Sequence, residues 1–356
     1  MKCFKIICTT VVSGAFLSAC NAPPKISTVI AATPVSAPAV TRSLYVVSGS
    51  CYAGGVLTAN PTNMIKSFDT TTKKMSIVTD YSSYSPLDSP IGIANLDSGN
   101  IIVSVENVSA NTRRLDQVSK TGVNTVPYLF GSLAFNTPLK QLYNTVDGGI
   151  LVTKTAAIEK ITAFRTRYLN AGNSYVNNPL TAACTGMNTA LSFAFELPSG
   201  KIVIGSAAAA PNNKIAILNA SGYLVVGDCL GALAAPTATA LPVAGASVSD
   251  DTFIIAYASP NAADNQIVSY QYDKNTFNLL SATVVTQLSN PSQIFGVSAM
   301  VFDPRDNGLY VANSPAAAEK IEKYTWDQTA RTLTRATPTT FLQNVDIPCV
   351  SGLLVN

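Results

Sequence analysis

The sequence predicts an all-β fold, a six-bladed β-propeller, from two repeated strand motifs and from the turns between them. After Ser43 the chain is rich in Val, Ile, Tyr, Phe and Thr in short runs separated by turn residues, with no stretch of helical periodicity. A period near 50 residues with about four strands per repeat is typical of propeller blades. Seven blades are the alternative, because this segment also divides into seven repeats of acceptable length.

The first repeated motif is a short apolar strand that occurs six times, beginning at Leu44, Ile101, Ile150, Ile202, Phe253 and Leu309. Every copy but the first follows a turn suited to a tight hairpin; these turns begin at Asp97, Asp147, Pro198, Ser249 and Asp303. The second motif also occurs six times, beginning at Ile65, Leu115, Ile158, Ile215, Ile267 and Ile321. Both motifs therefore give six blades.

The two ends of the repeat region predict that the ring is closed by pairing of the termini. The strand at Leu44 has no preceding hairpin turn, and residues 347–355 form a strand with no partner after it. Antiparallel pairing with Val355 opposite Leu44 or Tyr45 closes the ring. The same register brings Cys349 roughly opposite Cys51, within reach of a disulfide bond.

The remaining cysteines of the body suggest a second bond. Cys184 precedes the inner strand of the fourth blade and Cys229 ends its outer strand, and both are expected on one face. An even number of cysteines in an oxidising compartment favours disulfide bonds. Buried free thiols remain the alternative for either pair.

The N-terminus resembles a bacterial lipoprotein signal: Lys2 and Lys5 precede an apolar run that ends in Leu17-Ser-Ala-Cys20. The resemblance implies cleavage before Cys20 and its acylation, palmitate included, which gives the lipid bilayer as a partner. We therefore expect a signal peptide (1–19), a lipidated cysteine with a Pro/Ala-rich tether (20–42) and the propeller (43–356). Asn21 favours the outer membrane, facing the periplasm or the cell surface. An ordinary secretory signal is the alternative.

Composition excludes several functions. The chain has no histidine, which argues against zinc sites and Ser-His-Asp catalysis. The formal charge is only +3 and the basic residues are scattered, so no nucleic-acid partner is expected. With 47% hydrophobic and 12% charged residues, the body is expected to be globular with a large core.

The repeats, with phrases such as Ser67-Phe-Asp-Thr-Thr-Thr-Lys73, resemble the six-bladed propellers of the NHL-repeat and gluconolactonase-like class over residues 43–356. The resemblance implies a ligand over the central channel, on the face that carries the loops from second to third strands and between blades. The candidate residues of those loops are Tyr52, Glu106, Asn107, Asn213, Asn261, Asp264 and Asn313. Most are amide-bearing and suit a neutral polar ligand, although Asn is also an ordinary turn residue.

The resemblance also implies that some relatives hold calcium through acidic and amide oxygens. Glu106, Glu196, Asp228 and Asp346 are conceivable ligands, but none lies in a phrase that matches the family's metal motif, so the metal ligands stay unassigned. No catalytic residue and no cofactor is predicted. We expect a membrane-anchored binding or scaffold module of the cell envelope that recognises a protein or a glycan, with a calcium-dependent hydrolase or lactonase as the alternative.

Overall fold

A computed structural model describes the repeat region with some gaps. The described residues are 42–49, 51–53, 56–58, 63–83, 87–107, 110–122, 125–127, 138–161, 186–218, 229–287, 297–313, 319–343 and 349–356. The predicted signal peptide and nearly all of the predicted tether lie outside these ranges. Within the ranges, no helix is long and apolar enough to cross a membrane.

Six antiparallel sheets form the blades of a six-bladed β-propeller, as predicted, and the seven-bladed alternative is wrong. From the inner strand outward, blade 1 is β25 (Val350–Val355), β1 (Ser43–Ser48), β4 (Met64–Asp69) and β5 (Met75–Asp80). Blade 2 is β6 (Asp88–Asn95), β7 (Asn100–Asn107), β8 (Thr112–Ser119) and β9 (Thr125–Val126), and the described part of blade 3 is β10 (Leu139–Asn144), β11 (Ile150–Lys154) and β12 (Ile158–Ile161). Blade 4 is β13 (Leu191–Glu196), β14 (Ile202–Ser206), β15 (Lys214–Leu218) and β16 (Cys229–Ala234). Blade 5 is β17 (Leu241–Ser249), β18 (Thr252–Ala258), β19 (Gln266–Tyr272) and β20 (Leu279–Gln287), and blade 6 is β21 (Val297–Asp303), β22 (Gly308–Asn313), β23 (Lys320–Asp327) and β24 (Thr332–Gln343). A hairpin of β2 (Cys51–Ala53) and β3 (Val56–Thr58) lies between β1 and β4.

The second strand of each blade is apolar along its length because it is buried on both sides. In β1, Leu44 and Val46 pack against blade 6, whereas Tyr45 and Val47 pack against blade 2. Side chains of a strand alternate between its two faces, so one strand serves two interfaces between blades. The six hydrophobic clusters correspond to the six blade interfaces. The core is therefore a ring of interfaces, and the continuous apolar runs of the first motif follow from it.

The ring closes through the C-terminal strand, as predicted. Leu44 lies opposite Val355 and Tyr45 lies opposite Leu354 in the antiparallel pair of β1 and β25. Each inner strand also contacts the inner strands of both neighbouring blades, and β25 takes its place between β21 and β6. The chain thus holds the ring shut by completing blade 1 from its two ends.

A β-bulge shifts the pairing near the beginning of every inner strand, including the closing one. In blade 1 the register shifts between Val47 and Ser48, so the N–H of Gly49 donates to the carbonyl oxygen of Cys349. The backbone of Cys349 therefore faces Gly49, two positions before Cys51, which the sequence places roughly opposite it. A bulge adds one residue to one strand and re-aims the residues beside it.

Aspartate side chains shape several of the turns between strands. Asp327 Oδ1 accepts the backbone N–H groups of Thr329 and Ala330 at 2.8 and 2.9 Å. Asp306 Oδ1 accepts the N–H of Gly308 at 3.0 Å. These bonds satisfy backbone donors that the hairpin leaves without a strand partner.

Candidate functional site

The disc has two faces, which differ in the connections they carry. We call the face with the connections from second to third strand, and from each outer strand to the next blade, the loop face. The opposite face carries the hairpins between first and second strands and between third and fourth strands, and we call it the turn face. All seven predicted ligand residues belong to loop-face connections or adjoin them.

Two predicted ligand residues on blade 2 hold neighbouring segments together. Glu106 Oε1 accepts the N–H of Leu139 in blade 3 at 2.6 Å and pairs with Arg113 Nε at 3.0 Å. Asn107 Nδ2 donates to Asp88 Oδ1 at 2.8 Å. Glu106 is buried, so its carboxylate serves the interface between blades 2 and 3 and leaves little for a ligand.

Asn213 of blade 4 is also buried and bonded within the protein. Its Nδ2 donates to the carbonyl oxygens of Thr237, Ala238 and Ala240 at 3.0 to 3.3 Å. It thereby shapes the loop that leads into blade 5. Asn313 at the end of β22 is likewise buried, with 1% of its surface exposed.

The structure brings two other predicted residues together at the surface, in what we call the Asp264 cluster: Thr239, Ser259, Asn261 and Asp264. Asp264 Oδ2 accepts hydrogen bonds from Thr239 Oγ1 at 2.6 Å and from Asn261 Nδ2 at 3.1 Å. Ser259 Oγ donates to Thr239 Oγ1 at 3.1 Å. The hydrogen bond from Thr239 lowers the pKa of Asp264, so the carboxylate is ionised at neutral pH. The cluster presents hydroxyl, amide and carboxylate oxygens to solvent on the loop face.

The other predicted site residues fall partly outside the described chain. Tyr52 lies opposite Leu57 in the β2–β3 hairpin, but its side chain is outside the described part. Cys349 is disulfide-bonded, whereas the side chains of Cys51 and Cys229, and all of Cys184, lie outside it. Both predicted cysteine pairs therefore stay predictions.

The conceivable calcium ligands do not converge within the described ranges. Glu106 is already bonded to Arg113 and to the N–H of Leu139. Glu196 lies at the turn-face end of β13, where its Oε2 accepts the N–H of Val146 at 2.5 Å. Burial raises the pKa of Glu196, which disfavours a charged ligand there. Asp228 and Asp346 lie outside the described ranges. Within those ranges, no three of His, Cys, Asp and Glu are grouped to hold a metal ion.

Sequence reasoning missed Glu319, which directly precedes β23 in blade 6. Asn213 and Asn265 hold the equivalent positions in blades 4 and 5, and Asn213 also bonds the segment leading into the next blade. The Glu319 carboxylate accepts the N–H of Cys349, beside the closing strand. Burial raises its pKa to about 7. Glu319 directly precedes an apolar third strand, a position at which blades 4 and 5 carry Asn. This equivalence in the repeats is the sequence signal that could have identified Glu319.

Sequence reasoning also missed a cavity in the central channel, with a volume of about 230 Å³. Five of the six inner strands line it, namely β6, β10, β17, β21 and β25. Among the residues that the structure describes, its lining contains the amides of Asn95, Gln141 and Asn144 but no Asp, Glu, Lys or Arg. The lining also includes Leu142, Met300 and Leu353, so apolar and amide groups face the same space.

Side chains from neighbouring blades cap the inner edges that surround this channel. Asn144 accepts the N–H of Asn95 at 2.8 Å and donates to its carbonyl oxygen at 2.7 Å. Gln141 Nε2 reaches across from blade 3 to the carbonyl oxygen of Ser298 in blade 6 at 3.3 Å. An inner strand has no neighbour on its channel side, so such caps satisfy backbone groups that are otherwise unpaired.

Comparisons with known proteins identify the fold. No family model and no curated protein matches the chain. Among solved structures, the periplasmic gluconolactonase of Pseudomonas aeruginosa is 12% identical, with 90% of this chain and 86% of that chain covered and a TM-score of 0.53. A putative 6-phosphogluconolactonase from Bacteroides fragilis is 11% identical over 90% of this chain and 99% of that chain, with a TM-score of 0.51. A chain of a nidogen/laminin complex is 12% identical over 88% of this chain and 98% of that chain, with a TM-score of 0.52. The protein is therefore a six-bladed β-propeller that resembles gluconolactonase-like structures in fold.

Proposed function

We propose that this protein is a binding module of the cell envelope that recognises a neutral polar ligand, a glycan or a protein segment, through its loop face. The Asp264 cluster is the observation that carries the proposal. It combines an ionised carboxylate, an amide and two hydroxyls within hydrogen-bond distance of one another at the surface. Such a set both accepts from and donates to sugar hydroxyls or peptide groups.

The hydrogen bonds and ion pairs that Glu106 and Glu196 already make within the protein favour a binding protein over a hydrolase. Catalysis by paired carboxylates needs two acids that converge on a substrate at roughly 5 to 10 Å. Glu106 is instead bonded to Arg113 and to the Leu139 N–H, and Glu196 is bonded to the Val146 N–H at the opposite face. Neither is free to act on a ligand above the channel.

A calcium-dependent lactonase is the second candidate, because the fold is shared with a structure described as a gluconolactonase. That likeness extends to the fold alone at 12% identity. A lactonase of this kind requires a metal ion held by several blades, and Asp228 and Asp346 are the acids left to contribute to it. Loss of lactone hydrolysis on calcium removal would favour this candidate.

The cellular setting belongs to the same proposal. Acylation of Cys20 would hold the module at a bilayer, and Asn21, the next residue, favours the outer membrane. The Pro-rich segment that follows would act as a tether. Arg42, where the described chain begins, pairs with Asp306 at 3.6 Å on the turn face.

The experiment is affinity co-purification of the detergent-solubilised full-length protein from its native membranes, with the wild type compared with Asp264→Ala. Asp273→Ala is the matched control, because Asp273 is an exposed turn aspartate with a lowered pKa on the turn face. We expect a partner or glycan at near-equal stoichiometry that Asp264→Ala weakens about tenfold or more and Asp273→Ala retains. Equal retention by both variants would contradict recognition by the Asp264 cluster.

A further inference from the structure

We propose that the channel cavity is a second binding site, separate from the loop face, for a neutral hydroxylated molecule of about monosaccharide size. The site is defined by the amides of Asn95, Gln141 and Asn144 together with the apolar side chains of Leu142, Met300 and Leu353.

The cavity has an opening direction that the inner strands define. Asn95 and Asn144 are the last residues of β6 and β10, so the cavity reaches the turn-face end of the channel. On the other side, Gln141 spans the channel to Ser298, the second residue of β21 and close to the loop face. Gln141 lies at the end of the cavity nearer the loop face, so we expect a ligand to enter from the turn face.

The lining decides the charge of the ligand. Burial of an ionised group without a partner is strongly unfavourable, and the lining has no Asp, Glu, Lys or Arg to pair with one. Tyr143 is the one lining side chain that titrates, and burial raises its pKa to about 12, so it stays neutral. The cavity therefore favours a neutral molecule over an acid or an amine.

The mixture of groups in the lining decides the chemical class. Amide side chains and the backbone edges of inner strands donate and accept hydrogen bonds, which matches hydroxyl groups. The apolar side chains suit the C–H face of a sugar ring. A volume of about 230 Å³ is below the roughly 300 to 1,000 Å³ of sites for drug-sized ligands, and so fits one small molecule.

The framework of the cavity is held before any ligand arrives. The paired hydrogen bonds between the Asn144 amide and the Asn95 backbone fix two adjacent inner strands relative to each other. Gly92 allows β6 to approach β10 closely, since a Cβ there would meet the carbonyl oxygen of Lys140 at 2.7 Å. Gly352 does the same between β25 and β6, where a Cβ would meet the carbonyl oxygen of Ile91 at 2.8 Å. A rigid, preorganised site loses less entropy on binding.

The test uses the full-length protein in detergent and saturation-transfer NMR with D-glucose, N-acetyl-D-glucosamine and D-glucuronate as probes. We expect saturable binding of at least one neutral sugar and no binding of glucuronate. Val301 lines the cavity and packs against the interface of blades 6 and 1, so the larger side chain of Val301→Phe should reduce the cavity and weaken that binding at least tenfold. Val284→Phe on the exposed outer strand β20 is the matched control and should leave it unchanged.

Asp264→Ala distinguishes this site from the loop face. Asp264→Ala should leave monosaccharide binding unchanged. If the loop-face proposal is wrong, this variant retains the partner in the co-purification described above, and the monosaccharide result does not change. Absence of saturable binding of both neutral sugars, or equal binding by Val301→Phe and the wild type at unchanged melting temperature, would overturn the channel site.

Discussion

At the scale of the residue, Glu319 links the charge of one side chain to the closure of the ring. Its carboxylate accepts the N–H of Cys349, which has a left-handed backbone conformation with φ of 52°. Burial favours the protonated form and raises the pKa to about 7. An ordinary glutamate in an unfolded chain titrates near 4.3, so the folded protein binds this proton more tightly.

We predict that Glu319→Gln reduces the pH dependence of stability. Because the pKa of Glu319 is raised in the folded state, its contribution is complete below about pH 4 and is lost as the pH rises through about 7. Glutamine keeps an acceptor oxygen and cannot ionise. Thermal melts at pH 5 and pH 8 should show a smaller difference for Glu319→Gln than for the wild type, with the variant more stable at pH 8.

Asp273→Asn is the control for this prediction. The pKa of Asp273 is lowered by hydrogen bonds from the turn backbone, so its titration lies below the same pH window. The control should keep the wild-type difference between the two pH values. An unchanged difference for Glu319→Gln would contradict the account of Glu319.

The candidate site was only partly predictable, and Glu106 shows why. Its place before a loop puts it near the loop face, and the structure agrees. Its partner, the N–H of Leu139, belongs to the next blade and lies 33 positions away along the chain. Such a contact depends on how two sheets pack, which the pattern within one strand does not reveal. Asn261 and Asp264 could be predicted as a pair because they share one short loop.

At the scale of the element, β25 contributes to two blade interfaces at once. Leu354 packs with Ile93 and Val103 on the blade 2 side, and Leu353 packs with Tyr310 on the blade 6 side. The strand that ends the chain thus completes two parts of the core. Loss of its side chains should weaken the closure of the whole ring.

We predict that Leu354→Ala lowers the free energy of unfolding by about 2 to 4 kcal/mol, because it removes a buried side chain and leaves a cavity. Leu280→Ala is the matched control, since Leu280 is 58% exposed on β20 and its loss should cost less than about 0.5 kcal/mol. Urea unfolding followed by circular dichroism measures both values. Equal costs for the two variants would show that β25 does not close the ring in solution.

We also predict that Cys51–Cys349 and Cys184–Cys229 are disulfide bonds. Each bond lowers the intact mass of the non-reduced protein by about 2 Da relative to the reduced protein. Peptide mapping without reduction should recover both linked pairs. Linkage of Cys349 to a different cysteine would contradict the proposed clasp between the two ends of the ring.

The register of β25 illustrates how far a strand can be predicted. Two apolar strands without other partners, one at each end of the repeats, were enough to place Val355 opposite Leu44 or Tyr45, and the structure has Leu44. The backbone of Cys349 faces Gly49, two positions before Cys51: the Leu44 register accounts for one position, and the bulge at Val47 and Ser48 accounts for the other. A bulge of this kind has no reliable residue pattern, although here every inner strand has one.

At the scale of the whole molecule, the propeller separates support from recognition. The buried ion pairs of Arg114 join strands within blade 2, since Arg114 on β8 contacts Asp88 on β6 at 2.7 Å and Asp116 on β8 at 3.0 Å. The channel cavity is lined by neutral groups, and the Asp264 cluster is at the surface. The cavity was invisible in the sequence because its walls are inner strands from five blades that meet only after the ring closes.

The measurement that most directly tests the central claim is metal analysis of the full-length protein, coupled to ligand capture before and after dialysis against EDTA. The account predicts less than stoichiometric calcium and unchanged capture of the co-purified partner or glycan, because the described acids hold the blades together and do not form a metal site. One tightly bound calcium per chain, whose removal abolishes capture or a lactone-hydrolysing activity, would contradict it and establish the enzyme instead.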